Sequence, residues 1–269
     1  MENIELFELS LEGLNTNTIK NHIRNVKRYI EEYEEPADQS KILKNVSEDD
    51  VYKTQSAKLT ILKSISKYLQ FAGLPNDKIT DGITNYNNTL NKKYMERNKN
   101  KSYSHSLKDL KQGLKKLQQE GQCQKYMINY ILINYNTRIM DLDAQLVNKN
   151  PKDKNNNYLY RRKNDIQYMR NVYKTSKSYG TKIHIIKNKS FLKCFDEMIK
   201  NEDKLLYDFN QPPKQLQRYM KKKILFSYNQ SDLAKIILSE KNTLSQASKI
   251  SKNRGTDLST LNQNYNLKV

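Results

Sequence analysis

The chain has 269 residues, enough for one large domain or two modest ones around a real core. Lys and Arg total 48 against 29 Asp and Glu, a formal net charge of +19, which points to a polyanionic partner because neutralising phosphates releases condensed counterions. No apolar run approaches the roughly 20 residues of a membrane span, and the acidic start Met1-Glu2-Asn3-Ile4-Glu5 is unlike a signal or transit peptide.

Codon bias toward Lys, Asn, Ile and Tyr would supply lysines but would enrich Glu as well, so it does not account for the imbalance. Two cysteines, Cys123 and Cys194, cannot build a disulfide framework, and with three histidines they show no metal-ligand pattern. A reducing, intracellular location without a metal is the expectation.

The first half reads as helical. Ile19, Ile23, Val26, Ile30 and Tyr33 recur at steps of four and three, with Thr16 or Asn17 as cap and Pro36 as stop. Ser47-Glu48-Asp49-Asp50 is expected to open a further helix, its acids suited to an N-terminal dipole. Leu59, Leu62, Ile65, Leu69 and Ala72 form a second stripe, ended by Gly73-Leu74-Pro75, and a shorter helix is expected over 83–90. Residues 1–90 thus read as an all-helical bundle, and the polar, basic stretch 91–103 as a linker.

Residues 104–269 read as a second domain. Leu107, Leu110, Leu114 and Leu117 mark an amphipathic helix whose other face carries Lys108, Lys111, Lys115 and Lys116. A lysine face is by default solvated, but beside a basic segment it suits a phosphate backbone. Tyr126 to Tyr135 has the composition of a buried helix, and 148–157 is a loop. Residues 158–160, 166–173 and 182–186 favour strands, with a turn at Ser178-Tyr179-Gly180 before the last. Helices resume over 191–200, 215–223 and from Ser231. The fold class is mainly α with a small antiparallel β-sheet (α+β).

Four places in this second half resemble the tyrosine recombinases and phage integrases, whose catalytic fold is shared with type IB topoisomerases. Asn136-Thr137-Arg138-Ile139-Met140-Asp141-Leu142 is similar to the family's first-arginine box. Lys174 sits where the family places a lysine between two strands. Asp232-Leu233-Ala234-Lys235 opens a helix at the distance expected for the H-x-x-R box. Arg254-Gly255-Thr256-Asp257 through Tyr265 is similar to the segment from the family's Gly-His pair to its nucleophilic tyrosine, with the usual separation. The first domain suits the helical DNA clamp that precedes this catalytic domain in the family.

The resemblance implies covalent chemistry on duplex DNA. The Tyr265 hydroxyl attacks a phosphodiester, giving a 3'-phosphotyrosyl link and a free 5'-hydroxyl, and the conserved bond energy drives rejoining. Arg138 clamps the charge that gathers on the non-bridging oxygens, and Lys174 protonates the leaving oxygen. Asp141 orients local structure. No metal or other cofactor is required.

The chain also departs from the pattern. Asp232 and Lys235 replace a histidine and a forked arginine, and Thr256 replaces the second histidine, so a catalytically silent DNA clamp is the alternative. Arg254 lies close enough to stand in for the missing arginine. Arg161 and Arg162 suit backbone contact or a solvated turn equally. Only four residues follow Tyr265, which argues against assembly through an exchanged C-terminal helix; self-assembly on DNA is otherwise open.

Overall fold

Apolar spacing and side-chain caps set the helices of the first of two units, Met1–Arg97, the second being Asn98–Val269. The computed structural model describes residues 2–99, 102–207, 213–240, 243–258 and 261. Helix α1 (Glu2–Ser10) buries Ile4 and Phe7, and α2 (Thr16–Tyr33) buries Ile23, Val26 and Tyr29. The cap of α2 is Asn15, whose side chain accepts from Asn17 N at 3.0 Å, one residue ahead of the earlier of the two expected caps.

The stretch Ser47-Glu48-Asp49-Asp50 does not open a helix. It closes α3 (Gln39–Glu48), which Asp38 starts by accepting from Ser40 N and Lys41 N at 2.8 and 3.2 Å. Those two bonds hold the Asp38 carboxyl below the usual range. Asp49 begins only a 3-10 turn (Asp50–Tyr52). The apolar face of α3 is essentially Ile42 and Val46, a pair too short to register as a period.

Helix α4 (Gln55–Phe71), capped by Thr54, is the centre of this unit, with Leu62, Ile65 and Leu69 fully buried. Gly73 ends it at φ 66°, a backbone that favours glycine. Helix α5 (Asp77–Lys99) extends well beyond 83–90 and covers most of the stretch read as linker. Its residues 91–97 are all exposed, so no apolar period announces that helix.

In the second unit Ser106 and Asp109 form a reciprocal capping box at the start of α6 (Leu107–Gln119), and the four leucines of the stripe are buried. Helix α7 (Cys123–Tyr135) is buried on most sides and ends at Asn136, in the left-handed region at φ 52°. A 3-10 turn (Ile139–Leu142) leads into β1 (Ala144–Val147), followed by β2 (Asn157–Arg161), β3 (Ile166–Arg170) and β4 (Lys182–Ile186). The strand order is β1-β2-β3-β4.

The sheet is mixed, not purely antiparallel as expected. β1 lies parallel to β2, while the β2–β3 and β3–β4 pairs are antiparallel. β1 has four residues, which is why it did not stand out in the sequence. The connection after β3 contains a one-turn helix, α8 (Ser176–Tyr179), in place of a simple turn.

Helices α9 (Lys189–Lys200), α10 (Pro213–Lys223), α11 (Gln230–Glu240) and α12 (Leu244–Arg254) complete the unit. Its core joins Met127 and Ile131 of α7, Leu159 and Ile166 of the sheet, Phe195 of α9 and Ile237 of α11. Cys123 and Cys194, 71 residues apart, are joined in a disulfide that ties α7 to α9, with a Cα–Cα distance of 4.8 Å. Nothing local to either cysteine announces the pairing. No helix among the described residues is long and apolar enough to cross a membrane, and no group of His, Cys, Asp or Glu among them is arranged to hold a metal ion.

Candidate functional site

A buried ion pair organises the site. Asp141, in the 3-10 turn after α7, and Arg170, the last residue of β3, are both fully buried and in direct contact through Oδ2 and Nη2. Burying two charges costs several kcal/mol per ion unless the remaining polar atoms find partners. Here that condition is met only in part: Asp141 Oδ2 also accepts from Arg138 N at 3.1 Å and the Asp141 carbonyl from Tyr168 Oη at 2.5 Å, while buried Asp141 Oδ1 and Arg170 Nε have no hydrogen-bond partner among the described residues. The second arm of Arg170, Nη1, donates to the Asn253 carbonyl in the last turn of α12. Its guanidinium carbon lies 4.8 Å from the centre of the Tyr173 ring. One arginine thereby joins the Arg138 turn, the β3–β4 connection and the end of α12.

The sheet register places Arg170 opposite Lys182, so both cations sit at one end of the sheet. The Lys182 ammonium donates to the Lys252 carbonyl and faces the rings of Tyr173 and Tyr179 at 5.3 and 5.0 Å. Its pKa is lowered, first by burial and then by the charges of Arg170 and Arg138, with Asp141 opposing. Thr175 Oγ1 donates to the Gly255 carbonyl at 2.7 Å. Gly255 has φ 59°, and a Cβ there would meet Thr175 Oγ1 at 2.4 Å and Tyr173 Cε2 at 2.9 Å, so both conformation and space require glycine. Arg254 Nη1 donates to the carbonyl of Asn136, the residue that ends α7, at 3.4 Å. Next to this centre, His184 packs against Tyr135 with 4.6 Å between ring centres; burial, then Arg170 and Lys182, push its pKa down to about 4.

Of the residues singled out in the sequence, Arg138 bonds Asp141 through its amide and Tyr173 faces Arg170, while Thr256, next to Gly255, exchanges hydrogen bonds with Ser251. Arg138 and Thr256 are half-buried, and Lys174 is exposed between the buried Tyr173 ring and Thr175. Arg254 is 6% exposed. The start of α11 adjoins the Arg138 turn, since Gln230 Oε1 accepts from Ile139 N at 2.6 Å. A groove of about 670 Å³ there is lined by Arg138, Lys221, Tyr228 and Gln230 among others. Asp232 is an internal cap: its amide donates to Asn229 Oδ1 at 2.9 Å, and its carboxylate accepts from Asn229 N at 3.5 Å and Tyr103 Oη at 3.4 Å. Lys235, half-buried further along α11, is not among the groove residues. Tyr265 lies outside the described residues.

Lys108, Lys111 and Lys115 are exposed along α6. Arg161 and Arg162 lie at the other end of the sheet, in forked pairs with Asp196 (2.8 and 3.1 Å) and Asp165 (2.6 and 2.7 Å). Those bonds raise the arginine pKa values, and the Arg162 pairing lowers that of Asp165. Arg170 and Lys182 were not singled out in the sequence. A signal for Arg170 existed: in Ile166-Gln167-Tyr168-Met169-Arg170 the arginine continues an inward-facing alternation.

No family model and no curated protein matches the chain. Among solved structures it is similar to "Crystal structure of XerA recombinase", with a TM-score of 0.39 and 12% sequence identity over 100% of this chain and 94% of that one.

Proposed function

We propose that the chain binds duplex DNA and acts on it as a tyrosine-recombinase-like strand-transfer protein, with Arg138 clamping the scissile phosphate, Lys174 or a neighbouring cation protonating the leaving oxygen and Tyr265 as nucleophile. One observation carries the reading: three segments more than 30 residues apart in sequence, the Arg138 turn, the Lys174 loop and the Arg254–Thr256 end of α12, meet at one buried ion pair. Three cations, Arg138, Arg170 and Lys182, lie around Asp141 and Tyr173, and Arg254 reaches the nearby Asn136 carbonyl, the kind of preorganised positive field that stabilises a pentavalent phosphate. The surplus of +19 supplies sequence-independent attraction to DNA, while the Cys123–Cys194 disulfide runs against the reducing location expected from the sequence.

The second reading, a DNA clamp without cleavage, is favoured by Asp232, whose carboxylate serves the Asn229 cap and Tyr103. A suicide substrate separates the two. Nicked duplexes are incubated with the protein, and a covalent adduct that disappears in Tyr265→Phe supports strand transfer. Tight duplex binding with no adduct on any substrate supports the clamp; no duplex binding at all refutes both.

A further inference from the structure

The end of the sheet opposite the buried pair gathers lysines. Lys163 lies in the β2–β3 turn, Lys187 follows β4, and Lys189, Lys193 and Lys200 stand on α9, all of them exposed. They line a groove of about 580 Å³, within the size range of small-molecule sites. None of the five has an ion-pair partner among the described residues. The nearby acids are already engaged: Arg161 holds Asp196 in a fork and Arg162 holds Asp165 in another. Glu197 is the one carboxylate lining the groove that no arginine neutralises.

Glu197 also marks where the groove leads. Its Oε2 lies 3.4 Å from Sγ of Cys123, whose disulfide partner Cys194 is the neighbour of Lys193. Cys123 is 9% exposed against 4% for Cys194, so it is the easier of the two to attack. Cys123 is also the first residue of α7, and the N-cap Gln122 makes no side-chain bond to the amides there. Free amides and the dipole at a helix N-terminus favour an anionic sulfur.

We propose that this groove docks a small anionic thiol, which opens the Cys123–Cys194 bond by thiol–disulfide exchange. The docked thiolate attacks Cys123 Sγ, forming a mixed disulfide and expelling Cys194 as a thiolate that takes a proton from water. A second thiolate attacks the sulfur of the bound ligand and expels the Cys123 thiolate at the start of α7. Two ligand thiols are thereby oxidised to one disulfide, and the protein disulfide is reduced to two thiols. The lysines raise the local concentration of the anion, an effect that salt screens. Opening the bond unties α7 from α9 and makes the second unit responsive to thiols.

The oxidised full chain tests the site with two probes, glutathione as an anionic thiol and β-mercaptoethanol as a neutral one. Released thiols are alkylated and followed by mass. Raising salt from about 20 mM to about 0.5 M is expected to slow glutathione about tenfold and β-mercaptoethanol by less than about twofold. Lys189→Gln/Lys193→Gln/Lys200→Gln slows glutathione by a similar factor and leaves β-mercaptoethanol unchanged. Glu197→Gln acts in the opposite direction and speeds glutathione about threefold, because it removes the like charge beside the attacked sulfur. Acid quenching early in the reaction places the mixed disulfide on Cys123.

Equal responses of the two thiols to salt, or to the lysine substitutions, overturn the proposal. So does a mixed disulfide found on Cys194, a slower glutathione reaction in Glu197→Gln, or a bond that glutathione leaves closed in the folded chain. The salt arm uses the wild type alone and decides the case even where a variant fails to fold.

Discussion

Neutralising Asp141 tests whether the buried pair organises the site. In Asp141→Asn the fully buried Arg170 keeps its charge without a counter-ion. Breaking a buried pair from one side costs about 3–5 kcal/mol, because the remaining charge stays desolvated. The second unit spans Asn98–Val269. At about 2.1 cal/mol/K per residue its unfolding entropy is roughly 0.36 kcal/mol/K, which converts that cost to a fall in Tm of about 8–14 °C. In Asp141→Leu/Arg170→Met both charges are absent, so the desolvation penalty vanishes. What remains is the loss of the bonds to Arg138 N and Asn253 O, about 2 kcal/mol in total. Thermal and urea unfolding of wild type, Asp141→Leu, Arg170→Met and the double variant close the cycle, with Asp141→Asn measured beside it. A single variant within about 1 kcal/mol of wild type, or a double variant no more stable than Asp141→Asn, would refute the reasoning.

Reduction of the Cys123–Cys194 bond opens a loop spanning a sequence separation of 71, worth about 4 kcal/mol of denatured-state entropy, and lowers the Tm by about 12 °C; identical melting with and without reductant would contradict a bond that constrains the chain. His184 gives a pH dependence. Its folded pKa of about 4 lies below the unfolded value of 6.5, so the unfolded chain binds the proton first and stability falls as pH drops from about 6.5 toward 4. Denaturant titrations at pH 7 and pH 5 should therefore show a smaller loss for His184→Gln than for wild type. If the α6 lysines track a phosphate backbone, replacing Lys108, Lys111 and Lys115 by Gln reduces the slope of log affinity against log salt by about 0.9 per lysine; an unchanged slope assigns that face to solvent.

The sequence by itself determined what depends on neighbours within a few residues. The leucine stripe of α6, the α4 stripe closed by Gly73, and the β2 and β4 strands were legible because each follows from a period of 3.6 or 2 and from turn residues on the same short stretch. Two places were misjudged locally. α3 had too short an apolar face to register, and the exposed stretch 91–97 of α5 had none at all.

Of the motif residues ordered along the chain, Arg138 lies at the buried pair, where its amide bonds Asp141. The tertiary structure alone decided which groups meet. Arg170 reaches Asp141 across 29 residues and Asn253 across 83, and Cys123 meets Cys194 across 71. Such pairings follow from how the sheet and helices stack, with β3 carrying Arg170 to the end where Lys182 and α12 converge. A buried arginine looks like any other in a chain with 48 basic residues until the packing removes the water around it. Charge and period are local properties; desolvation and partner choice belong to the assembled fold.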